Sequence, residues 1–238
     1  MSEKPFALET LTERFANVRQ RVEAAAKRCN RTSDKITLIA ISKTHPVETL
    51  KAGLELGITD FGENRIQEAE GKIFAVGRNA ARWHLVGHLQ ANKARRAVAL
   101  FDVIHSLDSP SLAQRLDRLS ITLGRAELPV LIQIDLGGEE TKTGIDQRAL
   151  AELLETLQEL KRVHLIGLMT LPPYFENPES ARPYFKTLRE LRDELQKQGH
   201  FAAGAGELSM GMTHDFEIAI EEGATMLRVG TAIFGDRS

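Results

Sequence analysis

Eight times along this chain a short apolar run is followed by a stretch whose apolar residues recur at helical spacing, and that alternation constrains the fold more than any other feature. The runs are ITLIAIS (36 to 42), ITDFG (58 to 62), RWHLVG (82 to 87), DVIHSL (102 to 107), PVLIQIDLG (129 to 137), VHLIGLMTL (163 to 171), ELSMGM (207 to 212) and TMLRVG (225 to 230). Strands alternating with helices build right-handed βαβ units and a parallel sheet. Eight units without a break in composition predict a closed (β/α)8 TIM barrel, lean at 238 residues against the roughly 250 of a typical one. An open, doubly wound sheet is the alternative, but its GxGxxG fingerprint is missing after the first run, and the GAG at 204 to 206 precedes a strand instead of following one.

Ahead of the first run, FALETLTERFANVRQRVEAAAKRC sets Phe6, Leu8, Leu11, Phe15, Val18 and Val22 at helical spacing. An extra N-terminal helix over about 6–29 is therefore expected before a barrel over about 36–235. No linker, low-complexity tract or repeat divides the chain, so one domain over 1–238 is expected.

Charge and composition narrow the function classes. A formal net charge of -2 gives no basic stripe for nucleic acid and no polybasic membrane anchor. No apolar run is long enough to span a bilayer, and MSEKPFALET lacks the order of a signal peptide, so a cytoplasmic protein with a small-molecule partner is expected. Cys29 is the only cysteine, which rules out an intrachain disulfide or a CxxC metal site.

In a barrel of this kind the active site lies at the C-terminal ends of the strands, and phosphate commonly binds in the loops after strands 7 and 8. Lys43, in ISKTHP, falls at the end of strand 1, either as an exposed lysine over the first turn of a helix or as a reactive amine at the mouth. At the other end of the chain, LSMGM supplies Ser209 and Gly211, and RVGTAIFG supplies Gly230 and Thr231. Hydroxyls and glycines in both loops have the composition of a phosphate cradle. A lysine beside such a cradle suits a phosphorylated carbonyl compound held as a Schiff base: pyridoxal 5′-phosphate, or the substrate of a phosphosugar aldolase. Arg228 shares a strand face with Gly230 and is placed to meet a pyridine nitrogen, or else is a buried arginine paired with a carboxylate. His84 and His88 are four apart, but on a strand entering a turn that spacing does not make a metal pair. His84 is expected to point into the barrel near the cofactor as a packing or hydrogen-bonding group, and Trp83 to pack between strand and helix.

Together AISKTHP, FGENRIQEA, WHLVGHLQANKAR, GLMTLP and LSMGMTHDFEIAIEEGATMLRVGTAIFG resemble the YggS/PROSC family, the pyridoxal phosphate homeostasis proteins, in order over about residues 36 to 235. The resemblance implies a fold similar to the N-terminal barrel domain of alanine racemase. It implies that Lys43 carries the cofactor, that Asn64 lies beside it, that Ser209, Gly230 and Thr231 hold its phosphate with Met210 also at the site, and that Arg228 faces the pyridine nitrogen. GGEETKTGI (137 to 145) also looks like a family motif, without an evident physical role.

An arginine at the ring nitrogen keeps that nitrogen unprotonated and the ring a poor electron sink. The sequence ends at Ser238, just after the loop of strand 8, where alanine-racemase-like enzymes continue into a second domain that supplies a base. Tyr174 and Tyr184, the two tyrosines, have no sequence reason to face the cofactor. The expectation is a protein that holds pyridoxal 5′-phosphate without efficient catalysis, is able to deliver it to apoenzymes, influences amino-acid and keto-acid balance, and is monomeric. A weak PLP-dependent racemase or lyase is the alternative.

Overall fold

The computed structural model describes residues 8–137, 144–145, 147–202, 204 and 206–236. Eight parallel strands pair in sequence order and close on themselves, β1 against β8. They are β1 (Thr37–Ile41), β2 (Asp60–Glu63), β3 (Arg82–Leu85), β4 (Val103–Leu107), β5 (Leu128–Gln133), β6 (Val163–Met169), β7 (Glu207–Met212) and β8 (Met226–Val229). Helices α1 (Leu8–Arg28), α2 (Val47–Glu55), α3 (Ile66–Val76), α4 (Ala94–Leu100), α5 (Pro110–Thr122), α6 (Gln147–Glu159), α7 (Arg182–Lys197), α8 (Phe216–Glu221) and α9 (Thr231–Phe234) accompany them. The expected (β/α)8 barrel is thus the observed fold, with α1 ahead of it. The expected Phe6, and residues 138–143 of the polar loop, lie outside the described residues.

Period-2 alternation sorts each strand into two cores. Inward-facing Ile39, Ile41, Val86, Val103, Leu131, Met169 and Met226 fill the barrel, while Phe61, Trp83, Ile104, Val130 and Leu208 face the helices. Trp83 therefore packs between barrel and helices as expected, its indole N–H donating to the Arg78 carbonyl at 3.1 Å. At Gly62 a Cβ would lie 2.4 Å from Ile41 Cδ1 and 2.9 Å from Ile39 Cγ2, so any larger residue there would force the interior side chains to shift.

On α1, Leu11, Val18 and Val22 are at most 5% exposed, each burial worth about 1.5–3 kcal/mol. The helix lies against α8 and α9, held by the Arg21–Glu217 and Arg28–Glu221 ion pairs. Arg31, in the turn that follows, donates to the Ile220 and Ala224 carbonyls at 2.8 and 2.7 Å, closing the C-terminal end of α8. No described helix is long and apolar enough to cross a membrane.

Candidate functional site

At the C-terminal ends of the strands the barrel opens into a cavity of about 920 Å³, within the range of a small-molecule or cofactor site. It gathers residues from six strand ends. Lys43 comes from the turn after β1 and Asn64 from that after β2; Val86 lies beyond β3, Leu171 to Tyr174 beyond β6, Met212 to Asp215 after β7, and Gly230 and Thr231 after β8. Lys43, Asn64, Arg228, Gly230 and Thr231 thus meet in one cavity although up to 188 residues apart (231 − 43).

Arg228 is 4% exposed and inward-facing on β8. Its guanidinium donates to Ser209 Oγ at 2.7 Å and to the Thr170 carbonyl at 2.8 Å. Burial pulls its pKa down to about 10, partly offset by the Asp215 carboxylate, so it remains a cation at neutral pH. Its flat donor set, held from behind, is presented to the cavity.

The loops after β7 and β8 meet each other. Gly211 has φ +90°, the left-handed region glycine tolerates, and a Cβ there would lie 2.6 Å from Ala219 Cβ and 3.0 Å from Phe216 Cα. The chain then turns so that Asp215 Oδ1 accepts the Met212 N–H at 2.6 Å and Thr213 Oγ1 accepts the Ala232 N–H at 3.4 Å. Burial raises the Asp215 carboxyl above its ordinary pKa. At Gly230 an added Cβ would lie 3.2 Å from the Ile41 carbonyl oxygen, so the backbone after β8 runs close to the end of strand β1, two residues before Lys43.

Three expected site residues are placed differently. Met210 is fully buried in the layer between strands and helices; it follows inward-facing Ser209, and alternation turns it away from the cavity. Ser209 does not line the cavity. Its hydroxyl, fully buried, lies behind Arg228 and within 2.9 Å of His105 Nδ1; the hydroxyl of this loop that reaches the cavity is Thr213. His84 does point into the barrel, but it is separated from Arg228 by His105 and Ser209, with Nδ1 2.9 Å from His105 Nε2 and Nε2 2.9 Å from Asp60 Oδ1. His88 instead faces Asp108, so the two histidines do not converge, and no group of three metal-ligating side chains forms among the described residues.

Reasoning from sequence missed Thr213, Asp215 and Tyr174. The first two follow β7 directly, and the strand-end rule reaches them if carried past Gly211. Tyr174 follows β6 and stands on the rim, 78% exposed, its ring 5.4 Å from that of His214. The same rule would have placed it there, against the expectation that it has no reason to face the site.

The alanine racemase, N-terminal domain, family matches residues 14–238. A pyridoxal phosphate homeostasis protein of Aquifex aeolicus is 44% identical over 225 residues, 94% of this chain and 97% of its own. The chain belongs to the pyridoxal phosphate homeostasis protein family. The family's Escherichia coli member is 38% identical over 97% of this chain and 98% of its own. Another related protein, PipY of Synechococcus elongatus, has been solved with PLP bound; it superimposes with a TM-score of 0.82 at 37% identity, covering 94% of this chain and all of that one.

Proposed function

We propose that this chain binds pyridoxal 5′-phosphate in the strand-end cavity and serves PLP homeostasis, holding the cofactor on Lys43 and giving it up to acceptors. The observation that carries the reading is the convergence of a lysine amine, a buried guanidinium and two glycine-hydroxyl loops on one cavity of about 920 Å³. Those groups fit the cofactor's parts: an aldehyde, a ring nitrogen and a phosphate. When bound, the cofactor supplies an aldehyde that an amine captures and a ring able to accept electrons.

Lys43 would supply the amine that captures the cofactor's aldehyde, with release of water. Arg228, cationic and fixed by Ser209 and Thr170, would hold the ring nitrogen by a donated hydrogen bond and disfavour its protonation. Thr213, Thr231 and the backbone at Gly230 would hold the phosphate. Asn64 and Val86 line the same cavity and would flank the cofactor there. A carboxylate at the ring nitrogen would favour carbanion chemistry, and Arg228 does not, which supports holding over turnover. The Aquifex aeolicus and Escherichia coli relatives are named as homeostasis proteins. PLP-dependent apoenzymes are the proposed recipients.

The test is the absorption spectrum of the purified protein before and after borohydride, followed by peptide mapping. A visible band that reduction abolishes, with the added mass on Lys43 and none in Lys43→Ala, is the expected result. A protein that stays colourless and unmodified after incubation with PLP overturns the reading. Stereospecific turnover of an amino acid, lost in Lys43→Ala, would favour the racemase or lyase alternative.

A further inference from the structure

Lys72 is a lysine on α3 only 5% exposed, and ammonium groups are rarely buried so deeply unless fully paired. Its three N–H bonds are all used. Nζ lies 2.6 Å from the Ser42 carbonyl, 2.7 Å from Glu63 Oε1 and 2.6 Å from Glu68 Oε1. None of these acceptors lies in the cavity lining.

The acceptors bracket Lys43. Ser42 is the residue before it, and the Ser42 hydroxyl donates to the same Glu63 oxygen at 2.7 Å. Thr44 is the residue after it, and its backbone N–H donates to Glu68 Oε1. Thr44 has φ +67°, a left-handed conformation that a β-branched residue adopts only where surroundings impose it. Glu63, fully buried, also directly precedes Asn64, a cavity residue. One ammonium thus ties the backbone on both sides of Lys43, and the residue before Asn64, to a single point on α3.

We infer that Lys72, with Glu63 and Glu68, is the positioning device for Lys43: it holds the strained Ser42–Thr44 turn so that the Lys43 amine aims into the cavity at the cofactor aldehyde. Lys72 is distinct from the groups proposed to touch the cofactor and acts only through the turn. The inference rests on the cofactor reading above and extends it to residues that do not line the cavity. Burial raises the Glu63 carboxyl pKa, and Lys72 opposes that rise. Because Glu63 Oε2 has no hydrogen-bond partner, loss of Lys72 would leave that buried carboxylate with the Ser42 hydroxyl but without its countercharge.

The experiment uses the full chain stripped of cofactor and then given pyridoxal 5′-phosphate. Attachment to Lys43 is followed by timed borohydride trapping and peptide quantification, cofactor orientation by circular dichroism of the visible band, and folding by thermal unfolding before addition. Lys72→Met is expected to attach at least about tenfold more slowly, since small misplacements of a reacting group cost that much or more, and to show an altered dichroic band. Glu68→Gln keeps the buried Glu63–Lys72 pair and removes the charge that strengthens the bonds from Thr44 and Lys72 to this side chain; it is expected to retain the wild-type unfolding midpoint yet attach more slowly. It decides the matter if Lys72→Met does not fold. Wild-type rates and dichroism in folded Lys72→Met, or in Glu68→Gln where Lys72→Met is unfolded, overturn the positioning role while leaving the cofactor reading standing. Absence of any Lys43 adduct in the wild type overturns both.

Discussion

His84 Nδ1 and His105 Nε2 face each other at 2.9 Å in the barrel interior, both rings without solvent exposure. They are the middle of a chain running from Arg228 through Ser209, His105 and His84 to Asp60. If both rings are neutral, every link is satisfied in one direction: Arg228 donates to Ser209, Ser209 to His105 Nδ1, His105 Nε2–H to His84 Nδ1, and His84 Nε2–H to Asp60. A proton added to His84 would set two N–H groups against each other unless His105 changed tautomer. Burial holds both histidines below their ordinary pKa, His105 far below. The Asp60 carboxyl, although raised by burial, ends below its ordinary value through hydrogen bonds from His84 and Thr59.

Stability is therefore expected to fall as pH drops. A histidine near pKa 6.5 when unfolded and lower when folded takes up a proton on unfolding, so its contribution is complete above about pH 6.5 and lost progressively below it. The pair sets a slope of at most about 2.7 kcal/mol per pH unit. Arg82 and Arg228 oppose charging of the pair, and Asp60 and Asp102 favour it at His84. Buried Glu63 and Asp215, raised on folding, act with the opposite sign. Urea unfolding between about pH 7.5 and 5.5 should show the positive slope in the wild type and most of it lost in the His84→Gln, His105→Gln double variant. Equal slopes in the two proteins would mean that the histidines are not held neutral.

Ser209→Ala isolates the link to Arg228. It leaves Arg228 Nη1 and His105 Nδ1 without their shared partner, and each buried orphan costs about 1–3 kcal/mol. The urea midpoint should fall accordingly, and the visible band of the PLP complex should shift because Arg228 is no longer fixed on one side. An unchanged band would show that the Thr170 carbonyl alone fixes the guanidinium.

Much of this was open to a reader of the sequence, for a physical reason. Strand period, helix period and the strand-end rule are local, and they placed all eight strands, Lys43, Arg228 and the β8 loop. Facing within β7 is the harder part: the run 207 to 212 reads as a strand, yet its hydroxyl and glycine also suit a loop, and only the structure sets Ser209 inward and Met210 outward. The Arg228–Asp60 chain depends on barrel closure, which brings Ser209 to His105 across 104 residues. Lys72 reads as an ordinary lysine in EAEGKIF, and only the packing of α3 on the β1 turn shows its partners.

Two glycines should respond in opposite directions to alanine. At Gly87 an added Cβ would lie 2.3 Å from the Asn64 carbonyl oxygen and 2.8 Å from Asn64 Cα, backbone that cannot step aside. Gly87→Ala should cost about 1–3 kcal/mol and speed PLP release by displacing Asn64. At Gly71, inside α3, nothing lies within 4 Å of an added Cβ, so Gly71→Ala should gain about 0.5–1 kcal/mol. Unfolding midpoints with PLP release rates check both. A Gly87→Ala protein as stable and retentive as the wild type would show that the β2 turn can shift without affecting the site.

The phosphate cradle can be tested apart from Lys43 and Arg228. Thr213 and Thr231 both line the cavity, and the proposed role gives each a hydrogen bond to a charged group, worth about 1.5–3 kcal/mol. Thr213→Val and Thr231→Val should each weaken PLP binding by roughly ten- to a hundredfold. Pyridoxal, which lacks the phosphate but keeps the aldehyde and ring nitrogen, should bind the variants and the wild type alike. Equilibrium titration of both compounds against the three proteins makes the comparison. Equal weakening for pyridoxal would place the threonines against the ring, and no weakening for PLP would move the phosphate out of the loops that follow β7 and β8.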